Sequence, residues 1–336
     1  MTLPIRANWK SHFQWVTNTE GIYDADVDDS ESSTNVIHKP FEVVHGIFKQ
    51  SDPNTNHEDI DVSDGFGLVS GTKWSSVIEL LHESDGPIKL LFLQRHGEGY
   101  HNIAPSKYNY KDWVCRWQMA DGDDEYEWYD AELTSRGFDQ LQGVRNRWDT
   151  EISLGCPKPE SHYVSPLRRT LETYDLIWNE RNHVTKPVVS ELIRETYGIS
   201  TESKRHPKSY IEERWPYVHF ESNFTEHDNN WTPLLHETHQ HRKYRARLFL
   251  QNLFKNDKNT IVHVTSHSGF ISSLLKVVGH RNWDLGTGQM IPVLIKANSL
   301  KLRPPHLNKS WHSLPHQCEN YGHNHETTEV SILNNL

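Results

Sequence analysis

The chain has 336 residues, of which 35% are hydrophobic, and its formal net charge is −10. This length accommodates one large α/β domain or two small ones, and the mean hydropathy of −0.76 indicates that part of the chain lies outside a hydrophobic core. The acidic balance, without a broad basic stripe, argues against nucleic acid as the main partner. No run approaches 18 apolar residues, so we predict no membrane-spanning helix and no membrane partner.

The cysteine content and the N-terminus both favour a reducing compartment. Three cysteines at positions 115, 156 and 318 are too few and too scattered for a disulfide framework or a zinc cluster. The first 14 residues lack the apolar stretch of a secretory signal. We therefore predict a cytoplasmic location, with the nucleus as a further option.

Residues 1–40 are predicted to be a disordered leader. The stretch 24–35 combines four Asp, one Glu, three Ser and a Thr with few apolar groups, too little hydrophobicity to offset the entropy of ordering. The sequence becomes more globular from Phe41, where residues 41–44 are predicted to be extended. Ser76–Glu79 resembles a capping box that starts a short amphipathic helix.

From residue 88 onward, apolar runs typical of strands alternate with helical periodicity. Strands are predicted at 89–94, 162–165, from 188, 261–265 and 291–295, with Pro292 suited to an edge or a strand start. Helices are predicted after Thr134 as N-cap, after Pro166, at 238–254 and at 270–278. The helix after Thr134 is expected to place four apolar residues near one face: Phe138, Leu141, Val144 and Trp148.

This alternation predicts an α/β fold, a three-layer sandwich whose mostly parallel central sheet is flanked by helices on both faces. We expect a single domain over residues 41–300, with long insertions at 103–132 and 198–235, and a polar C-terminal tail at 301–336. Both insertions follow strand ends, so they are candidate lids. The Trp and Tyr side chains of the first insertion could stack on an organic ligand or form a structural wrap.

Polar residues follow four of the predicted strands. They are Arg95-His96-Gly97 with Asn102, Ser165 to Arg169, Glu195, and His267-Ser268-Gly269. Open α/β sheets bind ligands at the carboxyl ends of their strands. Guanidinium groups complement phosphate oxygens, and helix N-termini add N–H donors. The sequence therefore predicts a phosphate-binding pocket at this edge.

The spacing of these residues resembles the histidine phosphatase superfamily, the group that contains cofactor-dependent phosphoglycerate mutase. The resemblance covers roughly residues 44–300, and the stretches 191–205 and 48–53 are most similar to fungal and plant phosphoglycerate-mutase-like proteins. Four motifs occur in the family's order: Arg95-His96-Gly97-Glu98-x-x-x-Asn102, Leu133-Thr134-x-x-Gly137-x-x-Gln140, Ser165-Pro166-Leu167-x-Arg169-x-x-x-Thr173 and Val264-Thr265-Ser266-His267-Ser268-Gly269.

The resemblance implies a role for each matched residue. His96 is the nucleophile that accepts the phosphoryl group, and Glu195 is the acid for the leaving oxygen and then the base for water. His267 takes part in catalysis and, when protonated, helps to hold the phosphoryl oxygens. The phosphate ligands are expected to be Arg95, Asn102, Arg169, His267 and Ser268. No metal and no cofactor are expected, because the arginines and a protonated His267 supply the positive charge.

Several individual assignments have alternatives. Arg168 competes with Arg169, and the motif spacing favours Arg169. Glu191 competes with Glu195 for the acid role, and Glu195 is favoured because Glu191 lies within the strand run. The histidines at 236, 239 and 241 have no zincin spacing and are interpreted as a helix N-terminus in solvent. The cations at 204, 205, 208 and 214 are interpreted as solvated surface, with a second anionic group of the substrate as the alternative.

The expected activity is hydrolysis of a small phosphorylated metabolite through a phosphohistidine. The family contains both phosphatases and mutases. Gly99 stands where mutases usually carry Ser or Thr, and Ser268-Gly269 where they usually carry Gly-Asn. These differences favour a phosphatase over a phosphoglycerate-mutase-type phosphomutase. A non-catalytic scaffold is the third option. The presence of five side chains that catalysis would need argues against it: Arg95, His96, Arg169, Glu195 and His267.

Overall fold

The computed structural model describes residues 39–55, 65–178 and 185–298, the backbone of residues 311–312, and Cys318. The strands are β1 (Phe41–Val43), β2 (Ile88–Arg95), β3 (Ser161–Val164), β4 (Val188–Val189), β5 (His219–Phe220), β6 (His236–Glu237), β7 (Ile261–Ser266), β8 (Met290–Ala297) and β9 (Trp311–His312). The helices are α1 (Trp74–Glu83), α2 (Tyr100–Ile103), α3 (Tyr110–Cys115), α4 (Ser135–Ser153), α5 (Arg168–Ile177), α6 (Lys208–Arg214), α7 (His239–Asn256) and α8 (Ser268–Val277). Short 3-10 turns lie between several of them.

Seven strands form one sheet in the order β1-β8-β2-β7-β3-β4-β5. The pairs from β2 to β5 are parallel, and β8 and β1 add an antiparallel edge. The prediction of a mostly parallel sheet is therefore confirmed. Pro292 lies opposite Phe92, and β1 pairs only with residues 295–297 of β8. Pro292 thus occupies a part of β8 that is a sheet edge, where a missing N–H is tolerated.

Helices cover both faces of this sheet, and β2 shows why. Leu90 and Phe92 pack in one core cluster with α1, α4 and α5, whereas Leu91 and Leu93 pack in a second cluster with α7 and α8. Successive side chains of a strand point to opposite faces. A strand that is covered by helices on both sides therefore has an uninterrupted run of apolar residues in its sequence. The prediction of three layers is confirmed.

The N-cap predicted at Thr134 is confirmed, and Thr238, the first residue of the predicted helix 238–254, caps its helix in the same way. The hydroxyls of Thr134 and Thr238 accept hydrogen bonds from the backbone N–H of Gly137 and His241. The capping box predicted at Ser76–Glu79 is wrong, because α1 already begins at Trp74. Trp74 lies in the first turn of the helix, where its side chain is buried and its indole N–H donates to the buried carboxylate of Glu151 over 3.0 Å. The helix therefore starts before Ser76.

Phe138 is also misplaced by the periodicity argument. Its side chain is 44% exposed, although Leu141 and Trp148 on the same helix are buried. The helix α4 packs on the sheet mainly through the positions near Leu141 and Trp148, and Phe138 lies outside that stripe.

The first insertion forms a small apolar cluster of its own. Tyr108 and Trp117 stack with ring centroids 4.5 Å apart, and Trp128 is fully buried against Trp113. Alanines at 104, 120 and 131 complete the cluster. These rings pack on one another, so the structure favours the structural wrap over a stacking platform for a ligand.

A disulfide joins Cys115, at the end of α3, to Cys318, with Cα atoms 5.2 Å apart. The sequence analysis predicted no disulfide framework and missed this pair, whose members lie 203 positions apart. Disulfides are rare in reducing compartments, so the pairing argues against the compartment inferred from the cysteine count. Cys156 is a buried free thiol.

The same C-terminal segment also pairs with the chain just after the second insertion, where β9 runs antiparallel to β6. Apart from positions 39 and 40, the predicted leader lies outside the described residues. So does the predicted tail, apart from positions 311–312 and 318. Among the helices that the structure describes, none is long and apolar enough to cross a membrane.

Candidate active site

Three parallel strands end at the same level of the sheet. Arg95 of β2 lies opposite Ser266 of β7, and Thr265 lies opposite Val164 of β3. The residues that follow these strands are therefore brought to one edge, as predicted. The backbone continues the ladder one step further, because the N–H of His96 donates to Ser266 and that of Ser165 to Thr265.

His96 is held as a neutral imidazole with one fixed tautomer. Its Nδ1 lies 2.7 Å from the carbonyl oxygen of Gly97, which can only accept, so Nδ1 carries the proton. Burial holds the pKa of His96 well below 6.5, and the charges of Arg169 and Arg95 lower it further. The lone pair is therefore on Nε2, as a nucleophile requires.

His267 lies beside His96, with ring centroids 5.1 Å apart. Its Nε2 is 2.8 Å from the hydroxyl of Ser165. Burial and the charge of Arg169 hold the pKa of His267 well below 6.5, which favours the neutral ring. Protonation of His267 beside a bound phosphate stays a prediction. When Ser165 donates to Nε2, the Nδ1–H of His267 remains as a donor.

The two arginines approach this pair from different elements. Arg95 ends β2 and donates through Nη1 to the carbonyl of Leu285 over 2.6 Å. Arg169 lies in the first turn of α5, is fully buried, and donates through Nη1 to the carbonyl of Glu202 over 2.7 Å. Arg168 instead contacts Glu132 and Glu172. The structure thus places Arg169, and not Arg168, beside the histidines.

Several buried donors at this edge have no hydrogen-bond partner among the described residues: Arg95 Nε, Arg169 Nε and Nη2, and His267 Nδ1. An unsatisfied buried donor costs roughly 1–3 kcal/mol. A phosphate accepts several such bonds at once and carries the opposite charge. The donor set therefore fits a phosphate group.

Asn102 and Ser268, the other predicted phosphate ligands, lie at the same edge. The Oδ1 of Asn102 accepts the N–H of Gly99 over 3.0 Å, which leaves the NH₂ end of the amide as the donor. Ser268 is the first residue of α8 and is partly exposed. Their contact with a phosphate stays a prediction.

Glu195 faces the start of α8. One carboxylate oxygen accepts the N–H of Gly269 over 3.1 Å, and the other accepts the N–H of Thr196 over 3.0 Å. This helix N-terminus was expected to donate to the phosphate, and its Gly269 N–H instead donates to the carboxylate. A Cβ at position 269 would lie 2.2 Å from Oε1 of Glu195, so any larger residue there would displace this carboxylate.

Glu191, the competing candidate for the acid, has a structural role. Its oxygens pair with Arg194 at 2.8 Å and with Arg205 at 2.6 Å, and both arginines are buried. Arg205 also donates to backbone carbonyls, including Thr225 over 2.8 Å. The interpretation of Arg205 as solvated surface is wrong, because it lies inside this network.

The motifs shared with the family hold the loop that carries His96. The hydroxyl of Thr173 accepts the N–H of Gly97 over 3.2 Å, and Oε1 of Gln140 accepts that of Glu98 over 2.8 Å. The N–H of Thr134 in turn donates to the carbonyl of Glu98 over 2.8 Å. These contacts satisfy the backbone of a buried loop and explain why the motif residues recur at this spacing.

Three residues near the site were missed by the sequence analysis: His101, Glu202 and Arg242. His101 packs 5.1 Å from the ring of His96, and the carboxylate of Glu202 lies 3.5 Å from Nη2 of Arg169. Arg242 contacts Thr196, and the charge of Glu195 opposes the lowering of the Arg242 pKa by burial. His101 lies within the first motif, directly before Asn102, and this position was its only signal. Glu202 and Arg242 lie far along the chain, in the second insertion and in α7.

The histidines at the start of α7 are not simply a solvated cluster. His241 is 8% exposed, and its Nδ1 contacts Glu237, which also pairs with Arg245 at 2.6 Å. Arg245 donates to the carbonyls of residues 192, 194 and 195. The interpretation as a solvent-exposed terminus is therefore wrong for His241, which belongs to the wall behind Glu195.

Comparison with known proteins shows the family of the chain. Residues 91–293 match the histidine phosphatase superfamily (branch 1). A Candida albicans protein named phosphomutase-like protein 3 is 43% identical over 81% of this chain and 85% of that protein. Proteins named probable phosphoglycerate mutase in Arthroderma benhamiae and Saccharomyces cerevisiae are 34% and 29% identical, over 76% and 69% of this chain and 84% and 88% of those proteins.

The rings of His96 and His267, the fully buried Arg169 and the half-buried Arg95 meet at one sheet edge. The donors of this arrangement suit a phosphoryl group. The chain belongs to the histidine phosphatase superfamily, as the resemblance of its motifs predicted.

Proposed function

We propose that the protein is a hydrolase of phosphomonoesters that works through a phosphohistidine on His96. The observation that carries this proposal is the 2.7 Å contact from His96 Nδ1 to the carbonyl of Gly97, beside buried donors that lack partners. A neutral nucleophile and a prearranged anion site are the two things that phosphoryl transfer to histidine needs.

In the first step, Nε2 of His96 attacks the phosphorus, and the ester P–O bond breaks. Glu195 donates its proton to the leaving oxygen. Arg95, Arg169 and the Nδ1–H of His267 bind the three equatorial oxygens, over which the negative charge of the phosphoryl group is spread in the transition state. In the second step, Glu195 takes a proton from water, whose oxygen attacks phosphorus while the N–P bond breaks. Inorganic phosphate leaves, and His96 is neutral again.

A phosphoglycerate-mutase-type phosphomutase is the second candidate, and the names of the relatives favour it. A mutase must bind a second anionic group beside the phosphate. The cations that could do so are engaged elsewhere: Arg205 with Glu191, Lys204 over the ring of Trp231, and Lys208 with Glu212. A carboxylate, Glu202, lies at the phosphate site instead. These contacts support hydrolysis over transfer.

The experiment compares wild type with His96→Ala and with His82→Ala, an exposed histidine of α1. With a generic phosphomonoester and chelator present, we expect wild type and His82→Ala to release phosphate and His96→Ala to lose about 10³-fold or more. A rapid quench should trap an acid-labile phosphoryl label on wild type and His82→Ala and none on His96→Ala. Equal turnover by His96→Ala contradicts the proposal. Loss of activity on chelation contradicts the metal-free mechanism.

A second assay with 3-phosphoglycerate and its bisphosphate separates mutase from phosphatase. Transfer to the 2-position faster than release of phosphate would favour the mutase. For the location of the protein, we propose the cytoplasm or the nucleus, as inferred from the sequence. The disulfide favours the alternative, an oxidising compartment.

A further inference from the structure

A carboxylate is placed at the phosphate site by the second insertion. Glu202 lies in the 3-10 turn Thr201–Ser203, and its side chain is 22% exposed. Its carbonyl accepts from Nη1 of Arg169 over 2.7 Å, and its carboxylate lies 3.5 Å from Nη2 of the same arginine. One residue therefore contacts the phosphate ligand Arg169 through both its backbone and its side chain.

The turn that carries Glu202 is fixed to the first insertion. The hydroxyl of Thr201 donates to the carbonyl of Ala120 over 2.6 Å, and the carbonyl of Thr201 accepts the N–H of Asp130 over 3.3 Å. Glu202 is thus held by both insertions where they meet beside the site. Side chains held in this way keep a defined geometry toward a ligand.

His101 is the second half of the arrangement. Its Nε2 lies 3.6 Å from the carboxylate of Glu202, and its ring is 5.1 Å from that of His96. Its Nδ1 is buried and has no hydrogen-bond partner within the described ranges. Residue 99 is a glycine against which this ring packs: a Cβ there would lie 2.8 Å from Nδ1 of His101 and 2.9 Å from the carbonyl oxygen of Glu132.

These groups differ chemically from the phosphate ligands. An ionised carboxylate only accepts hydrogen bonds, and a neutral imidazole accepts through one nitrogen. Beside a bound phosphate, this pair suits a hydroxyl or ammonium group on the organic part of the substrate. It repels a carboxylate or a second phosphate at the same place, because like charges in a buried site disfavour each other.

We propose that Glu202 and His101 are specificity-determining residues that select phosphomonoesters bearing a hydrogen-bond donor next to the ester, such as polyol phosphates, and reject phosphorylated carboxylic acids. The inference rests on the proposed phosphomonoester hydrolysis, and it names the substrate class of that same site. In this proposal, the glycine at position 99, where mutases usually carry Ser or Thr, leaves room for the ring of His101.

The test measures kcat/KM for glycerol 1-phosphate, 3-phosphoglycerate and phenyl phosphate, which has neither group. Glu202→Gln keeps the side-chain volume and removes the charge, and Glu212→Gln, an exposed glutamate of α6, is the control. We expect Glu202→Gln to lower the ratio of glycerol 1-phosphate to 3-phosphoglycerate at least tenfold, with a smaller effect of His101→Asn in the same direction. Glu212→Gln should leave the ratio unchanged.

Two outcomes overturn the inference. If Glu202→Gln leaves the ratio of kcat/KM for glycerol 1-phosphate to 3-phosphoglycerate unchanged, Glu202 does not select the organic part of the substrate. An equal increase for all three substrates, with tighter binding of inorganic phosphate, shows that Glu202 competes with phosphate for Arg169. If wild type hydrolyses none of the three, the proposed function fails, and the inference is decided separately by calorimetric binding of the first two compounds to wild type and Glu202→Gln.

Discussion

The carboxylate of Glu195 is held in contact with the backbone of Gly269, which leaves no room for a side chain at position 269. Oε2 of Glu195 accepts the N–H of Gly269 over 3.1 Å, and a side chain at 269 would collide with Oε1. Because Gly269 follows His267 by two residues, the turn that supplies the second histidine also positions the proposed acid. The sequence analysis assigned Gly269 no role of its own, and this contact gives the glycine one.

We expect Gly269→Ala to displace Glu195 and to slow hydrolysis according to the leaving group. General acid catalysis contributes roughly 10²–10⁴-fold, so an alkyl phosphate should lose about 10²-fold or more. A nitrophenyl phosphate, which leaves without a proton, should lose much less. Glu195→Gln should show the same selectivity in steady-state kinetics. Equal losses for both substrates would argue that Glu195 is not the acid.

Arg169 and Arg168 form a matched pair of variants. Arg169 is fully buried among the histidines, whereas Arg168 pairs with Glu132 and Glu172. Lysine lacks the planar fork of donors, so Arg169→Lys should lower kcat/KM by about 10²–10³-fold, the cost of losing a preorganised transition-state donor. Arg168→Lys should stay within about threefold of wild type, because its ion pairs are partly solvent-exposed and individually weak. Similar losses in both variants would contradict the assignment.

The sequence was sufficient to predict the sheet, the strand ends and the residues that meet there. An apolar run that stops at Arg95-His96-Gly97 identifies a strand exit because burial on both faces leaves no alternation. Glu202 was not predictable in the same way. Its position depends on how two long insertions pack on each other through Thr201 and Ala120, and no sequence periodicity indicates such a contact. The N-cap at Thr134 was predictable because its hydroxyl bonds to a backbone N–H only three residues away. The start of α1 was not predictable, because it depends on a hydrogen bond from Trp74 to the distant Glu151.

The buried histidines should make the protein sensitive to acid. The pKa values of His96, His101, His263 and His267 lie well below 6.5 in the native state, chiefly because burial disfavours the charged ring. Below pH 6.5 the unfolded chain therefore binds protons that the native state does not. The free energy of unfolding is fully maintained above that pH and falls as pH decreases toward the native values, by up to ~1.4 kcal/mol per histidine per pH unit.

The buried carboxyl of Glu221 acts in the opposite direction and must be separated from this effect. Burial raises the pKa of Glu221 to about 7, so its protonated form stabilises the native state at acid pH, and that contribution is lost as pH rises through 7. We therefore compare urea unfolding of wild type and His263→Asn between pH 5.5 and 8. The variant should show a shallower acid loss, and exposed His82→Ala should match the slope of wild type. Parallel slopes in wild type and His263→Asn would contradict the prediction.

The disulfide between Cys115 and Cys318 should stabilise the native chain and be detectable directly. It closes a loop with a sequence separation of 203, and cross-links of this kind contribute roughly 2–5 kcal/mol. Reductant, or Cys115→Ser, should therefore lower Tm by several degrees. Cys156→Ser is the control, because burial raises the pKa of that thiol and leaves it unreactive.

The same experiment decides between compartments. Non-reducing peptide mapping after alkylation of the denatured protein should show one linked peptide containing Cys115 and Cys318, and one alkylated thiol at Cys156. A linked peptide in protein isolated from its native source would place the chain in an oxidising compartment, because glutathione keeps such pairs reduced in the cytosol. Three alkylated thiols would contradict the disulfide and agree with the cytoplasmic location inferred from the sequence.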